Sequence, residues 1–154
     1  MKIAIVAVGR LGRAPEADLA KNYADRATAA GRALGFGPVE VVEVEARKPG
    51  KAAEAEALRP HLVGSHVIAC DEHGAPRASR ALAAELGRLR DQGVRRTAFV
   101  IGGADGLDAG LVREADATLA FGPQTWPHAL ARVMLSEQIY RAATILAGGP
   151  YHRD

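Results

Sequence analysis

The stretch FVIGGADGLDAG, residues 99–110, decides how the rest of the chain is read. Three apolar residues, Phe99, Val100 and Ile101, run directly into the pair Gly102–Gly103, and Asp105–Gly106 follows. An apolar run that empties into glycines reads as a buried strand ending in a loop, where the backbone turns tightly or lies close to something that leaves no room for side chains. The same alternation recurs on either side. KIAIVAV (2–8), VEVVEV (39–44), HVIAC (66–70), TAFVI (97–101) and ATLAF (117–121) are short strand-like runs bounded by Gly, Pro or charge. Between them Leu19, Tyr23, Ala27, Ala30 and Leu34 recur at helical spacing, as do Leu82, Leu86 and Leu89. Ser79 is placed to cap the helix carrying these leucines, and Gly93 to close it. Strands alternating with helices predict an α/β fold, a mostly parallel sheet with helices on both faces.

Two further segments read as helices. PGKAAEAEALRP (49–60) has the Ala/Glu content of a surface helix and not of a linker. The last helix starts near His128 and runs to about Ala147. Its Leu130, Val133, Met134, Leu135, Ile139, Tyr140, Ile145 and Leu146 cover more than one face, so the helix is expected to be buried on two sides. In a protein of this size the second side points to a partner subunit.

The chain of 154 residues is expected to form one domain, 1–154, large enough to bury a core. A hydrophobic share of 48% and a charged share of 25% are those of a soluble globular protein. With a formal charge of only +2, a nucleic-acid partner must be held by local patches. One cysteine, Cys70, excludes an internal disulfide framework and a cysteine-based zinc cluster. The opening MKIAIVAVGR lacks the h-region and cleavage site of a signal peptide, and no run reaches the length of a membrane span. The expectation is a soluble, cytoplasmic protein with no membrane partner.

Common nucleotide and metal motifs fail in turn. Gly9 and Gly12 in GRLG lack the spacing of a dinucleotide fingerprint and read as turn residues. KPGK (48–51) lacks the upstream glycine and the hydroxyl residue of a phosphate loop. His61, His66, His73, His128 and His152 show no ligand spacing such as H-x-x-x-H, so no metal is expected. Cys70 reads as a buried apolar residue at a strand end. What remains is GGADG (102–106), FGPQTWPHALAR (121–132) and the terminal GGPYHRD (148–154). Each has an ordinary reading: a glycine turn, a Pro127 helix start capped by Thr125 or a nearby polar group, and a frayed tail. In open α/β sheets, however, ligands sit beyond the carboxyl ends of strands, and these loops follow strands of one sheet.

Taken together, MKIAIVAVGRL, FVIGGADGL, TWPHALARVMLSEQIYRA and the closing PYHRD resemble the bacterial RlmH family of small SPOUT-class methyltransferases. The resemblance covers essentially the whole chain, with I-G-G-x-x-G, P-H-x-x-x-R, E-Q-x-Y-R-A and the Y-H-R tail as its specific motifs; residues 45–65 carry little of it. It implies a single-domain SPOUT fold with a C-terminal trefoil knot, and a homodimer with its sites at the subunit interface. The implied reaction moves a methyl group from S-adenosylmethionine to N3 of a pseudouridine in 23S rRNA of the assembled ribosome. Carried over residue by residue, the cofactor positions are Cys70, Gly102, Gly103 and the loop Gly122, Pro123, Gln124, Thr125, Trp126 and Pro127. A ligand read by main-chain groups needs the peptide within hydrogen-bond distance, which would explain Gly102 and Gly103. The chain departs from the family's pattern at Cys70, where relatives carry Leu, and at Ala104–Asp105.

Methyl transfer from a sulfonium is an in-line displacement, so much of the catalysis is positioning. The N3 proton must leave and charge develops on the flanking carbonyls, so a base or a cation helps. His128, His152 and Arg153 offer this chemistry, with Tyr151 to stack on a base; deprotonation by water serves equally. Arg132 and Arg141 are expected phosphate or dimer contacts. Arg47, Lys48, Lys51, Arg95 and Arg96 read either as phosphate contacts or as a solvated charged face. Two other functions stay open: a non-catalytic RNA- or ribosome-binding protein of the same fold, and a methyltransferase acting on tRNA.

Overall fold

The computed structural model describes residues 1–153. Five strands, β1 (Lys2–Val8), β2 (Val39–Val44), β3 (His66–Cys70), β4 (Arg96–Ile101) and β5 (Ala117–Leu119), form one sheet in the order β2-β1-β4-β3-β5. Every pairing is parallel. The helices are α1 (Pro15–Gly31), α2 (Lys51–Leu58), α3 (Ser79–Asp91), α4 (Ala109–Glu114) and α5 (His128–Leu146). The central strands are apolar without interruption because helices cover both faces of the sheet; Ile3–Val8 and Thr97–Ile101 are buried.

Alternation along each strand separates two cores. Ile3, Ile5, Ala7, Ile68, Phe99 and Ile101 face α1, α3 and α5. Ala4, Val6, Ala69, Ala98 and Val100 face the other way, onto Ala55 and Leu58 of α2 and Leu111 of α4. The 49–60 segment thus contributes a surface helix, as its composition predicts. β5 stops at Leu119, short of the expected end, and Ala120 makes only a bridge to Pro76. No helix among the described residues is long and apolar enough to cross a membrane.

Three expectations are corrected. Ser79 is not a cap: Ala78 occupies that position, and the Ser79 hydroxyl donates to Gln138 Oε1 at 2.7 Å, tying α3 to α5. Gly93, at φ +81°, does follow the helix end. The wide apolar arc of α5 is used inside the chain, because the helix lies between α1 and α3 and over β1 and β4. Leu130 is the exception, 40% exposed. Arg132 is not a phosphate contact. It is 1% exposed, its Nη1 donates to Glu43 Oε1 at 2.6 Å, and its Nη2 donates to the Gly9 carbonyl at 3.0 Å.

Arg132 therefore fastens α5 to the carboxyl end of β1 and to β2. Removing one partner of a buried ion pair is strongly destabilising, least so where the remaining charge keeps access to water, and Glu43 is 31% exposed. Arg132→Ala is expected to cost about 3 kcal/mol, lowering Tm by roughly 6–12 °C in thermal unfolding followed by circular dichroism.

Candidate active site

Beyond the carboxyl ends of β3, β4 and β5 lies a cleft of about 930 Å³, the place where open parallel sheets hold ligands. Its walls come from the loops after those three strands, from α4, from Lys51 at the start of α2 and from the first turn of α5. Cys70, Gly102, Gly103, Gly122, Gln124, Thr125, Trp126, Pro127 and His128 all line it. Pro123 is exposed in the same loop and does not reach the wall. Ile101, Leu119 and Phe121 give the cleft an apolar side.

The glycine pair is explained differently from the expectation. A Cβ on Gly102 would stand 2.5–2.8 Å from the main chain of Gly106 and Leu107, so the close approach is the loop folding back on itself. Gly106, at φ +81°, closes that turn by donating its N–H to the Gly103 carbonyl at 3.0 Å. A Cβ on Gly103 would meet the Glu54 carboxylate at 2.7 Å, and Gly103 N–H donates to Glu54 Oε2 at 3.3 Å. The peptide of Gly103 is thus presented to the cleft by α2, from the region that carried little sequence signal.

The loop after β5 is held by its own side chains. Trp126 Nε1 donates to the Phe121 carbonyl at 3.2 Å, and Trp126 is still 41% exposed. Thr125 is not a helix cap; its hydroxyl donates to Glu72 Oε2 at 3.2 Å across the cleft mouth. Pro127 is itself the cap residue of α5 and makes no side-chain cap bond, with its carbonyl accepting from Ala131 N–H at 2.9 Å.

Cys70 ends β3 on the cleft wall. It is half-buried by area, but its apolar surroundings push the thiol up to about 12. A thiol so raised is almost wholly protonated at about pH 8, and the thiolate is the reactive form. Iodoacetamide at that pH is expected to leave the native protein unmodified by intact mass, while the unfolded chain takes up one adduct.

The tail lies elsewhere. Tyr151 donates its hydroxyl to Glu137 Oε1 at 2.9 Å and packs its ring 4.6 Å from that of Tyr140. Arg26 of α1 sits 4.2 Å over the Tyr140 ring, and Arg141 sits 4.8 Å over Tyr151. Burial, then Glu137 and Tyr23, hold the Tyr151 phenol above its usual range, so it stays a hydrogen-bond donor. His152 Nδ1 is 3.2 Å from Arg141 Nη1, and Arg153 is exposed. Arg141 is therefore a partner of Glu137 and the tail. Glu137 lies nine residues along α5 from His128, about 14 Å at 1.5 Å per residue. Within one chain, only His128 of the four candidate catalytic residues stands at the cleft.

The cations also divide. Arg96 donates to the His61 carbonyl and the Ser65 hydroxyl, both at 2.7 Å, at the amino end of β4 and away from the cleft. Lys51 lines the cleft, and Arg47 and Lys48 lie in the loop leading to it from β2. Residues missed from the sequence are Glu54, Asp71, Glu72 and the Tyr23–Arg26–Tyr140 cluster. Tyr140 and Arg141 lie three and four residues after Glu137, a helical spacing that could have exposed the seat of Tyr151. Among the described residues no group of three or more His, Cys, Asp or Glu is placed to hold a metal ion.

Residues 1–152 match the family model described as predicted SPOUT methyltransferase. The chain is 74% identical to ribosomal RNA large subunit methyltransferase H of Phenylobacterium zucineum, over the full length of both. It is 69% identical to the protein of that name in Caulobacter vibrioides, covering 100% of this chain and 99% of that one. Among solved structures, a probable methyltransferase from Bordetella pertussis Tohama I superposes with a TM-score of 0.56 at 19% identity, covering 92% of this chain and 96% of that one. That likeness supports the fold. With the whole chain matched, from β1 to the tail, the protein belongs to the SPOUT methyltransferase family.

Proposed function

We propose that the chain is an S-adenosylmethionine-dependent methyltransferase that methylates N3 of a pseudouridine in 23S rRNA of the assembled ribosome, acting as a single-domain cytoplasmic homodimer. The observation that carries this reading is the cleft beyond β3, β4 and β5, in which the Gly102–Gly103 peptide and the 122–127 loop face an apolar wall. The names of the full-length relatives support the ribosomal RNA substrate. The 71–78 loop runs beside β5, with Asp71 N–H donating to the Leu119 carbonyl and Ala120 N–H to the Ala75 carbonyl, each near 3.0 Å. These bonds continue the parallel β3–β5 pairing past the strand ends; the trefoil-knotted chain path is what membership of the family implies.

The residues present fit the methyl donor. Ile101, Leu119 and Phe121 would cover an aromatic base, and the main-chain groups of the 122–127 loop, with the second lone pair of the Gly103 carbonyl, would bond its polar edge. When bound, the donor supplies an electrophilic methyl carbon on a sulfonium. The protein's contribution is then to orient the target base in line with that carbon and to manage the N3 proton. His128 stands at the cleft to accept the proton directly or through water. Arg153 and His152 would offset carbonyl charge, but only from a second copy, because a chain's own tail is seated along α5. Leu130 and the exposed side of the Tyr151 cluster are the surfaces a second copy would cover.

Light scattering at micromolar concentration is expected to give twice the 16.1 kDa chain mass. To test the function, ribosomes from a strain lacking the enzyme are incubated with protein and S-adenosylmethionine, and their nucleosides are mapped by mass. One N3-methylated pseudouridine in rRNA, with free tRNA unmodified, is expected. Methylated tRNA would favour the tRNA reading, and no methylation at all the non-catalytic one.

A further inference from the structure

One side chain at the cleft is more open than a wall of the methyl-donor site needs to be. Trp126, the one tryptophan of the chain, lines the cleft and is 41% exposed. Ile101 and Leu119 of the apolar wall are buried, and Phe121 is half-buried. The indole's only polar group is already used: Nε1–H donates to the Phe121 carbonyl at 3.2 Å, which ties the ring to its own loop. Pro127 follows directly and restricts the backbone where the loop enters α5. The ring is thus held in place with no hydrogen bond left to give, and it can recognise a partner only through its apolar surface.

The charges around it do not select a polyanion. Lys51 and Arg113 line the cleft, but so do Asp71, Glu72 and Asp105. Cations do not outnumber carboxylates there, so attraction of phosphates is not what draws RNA into this mouth. A flat, uncharged base suits an exposed aromatic ring, because stacking needs no hydrogen bond and is open to any base. Leu130 and the Tyr151 cluster, the surfaces suited to a second copy, do not line the cleft, whereas Trp126 does. We propose that the Trp126 indole is a stacking platform for an unpaired base of the substrate RNA, the neighbour of the base that is methylated. The target base must reach the methyl carbon inside the cleft, which leaves its neighbour to meet the ring at the mouth. This rests on the cleft being the site of methyl transfer to rRNA. It gives the Trp126 side chain to the RNA and leaves its main chain with the loop that faces the donor.

The test uses the full chain with ribosomes lacking the modification as substrate. Trp126→Phe and Trp126→Leu both lose the indole N–H and its bond to Phe121, but only Phe keeps a ring. Their difference therefore reads stacking alone. At saturating S-adenosylmethionine, KM for ribosomes is expected to be about ten-fold higher for the Leu variant than for the Phe variant, the scale of one base stacked on an aromatic ring, with kcat within about two-fold. The ratio should hold from low to high salt, because stacking releases no counterions. Calorimetry with S-adenosylhomocysteine should give the two variants equal affinity, and light scattering equal mass. Equal KM values would overturn the platform. Homocysteine-ligand affinity that falls in step with the rise in KM would overturn it and make the ring a wall of the donor site. A Leu variant of lower mass than the Phe variant would overturn it and make the ring part of the subunit contact. If the unaltered protein methylates no rRNA, the reading of the site fails and the platform falls with it, an outcome seen before any variant is compared.

Discussion

Removal of residues 151–154 is expected to leave cofactor affinity within about two-fold while methyl transfer to ribosomes falls by about a hundred-fold or more, the scale of losing one preorganised charge-stabilising group. The separation of effects follows from geometry. Tyr151 and His152 are seated on Glu137, Tyr140 and Arg141, none of which lines the cleft. Losing the tail therefore leaves the cofactor loops and their internal bonds in place. Arg153→Ala should do most of the same damage, since contacts of this kind depend on charge. It is the cleaner variant because Arg153 is exposed and its loss does not open the tyrosine cluster. Calorimetry with S-adenosylhomocysteine and a ribosome methylation assay read the two quantities separately. A truncated chain that methylates at the normal rate would make the tail a bystander and move target choice to the basic loop carrying Arg47 and Lys48.

The second large effect is at Gly102. Gly102→Ala places a Cβ within 2.8 Å of main-chain atoms of Gly106 and Leu107, and neither can yield without opening the 102–107 turn. Overpacking of this kind costs about 1–3 kcal/mol, and the upper end applies where the obstruction is backbone. A Tm lower by roughly 6–12 °C is expected, with affinity for S-adenosylhomocysteine reduced about a hundred-fold because the turn presents the Gly103 peptide. Gly103→Ala meets only the end of the Glu54 side chain, so its Tm should fall less. A purely ligand-driven glycine pair would instead leave both melting temperatures of the free protein nearly unchanged. A Gly103→Ala melting temperature lower than that of Gly102→Ala would contradict the explanation.

Period and punctuation carried most of the fold. β1, β2 and β3 appear at the boundaries their apolar runs mark, and α5 ends within one residue of its expected stop. These features depend on residues close in sequence. The features that were not legible depend on partners far apart. Arg132 reads as a surface cation on its helix, yet its acceptor at Gly9 is 123 residues away. Glu54 meets Gly103 across 49 residues, and Ser79 meets Gln138 across 59. The glycine pair lines the cleft, but the cause of its first member is the loop's own return path. The position of the tail was not legible from the tail itself, because Tyr151 is held by Glu137, 14 residues upstream, and only the helical spacing of Glu137, Tyr140 and Arg141 marks that seat.

That position makes the two-chain site the central claim, and mixed dimers test it most directly. Gly102→Ala chains, with a defective cleft, and chains ending at residue 150, without a tail, are each expected to be nearly inactive on ribosomes. Equal amounts, combined so that subunits exchange, give mixed dimers in which one intact cleft meets one intact tail. Half of a random mixture is mixed and each mixed dimer holds one complete site, so about a quarter of the unaltered rate per chain should return. Activity no greater than the sum of the two separate variants, in a sample shown to contain mixed dimers, would place cleft and tail of the same chain in one site and contradict the account.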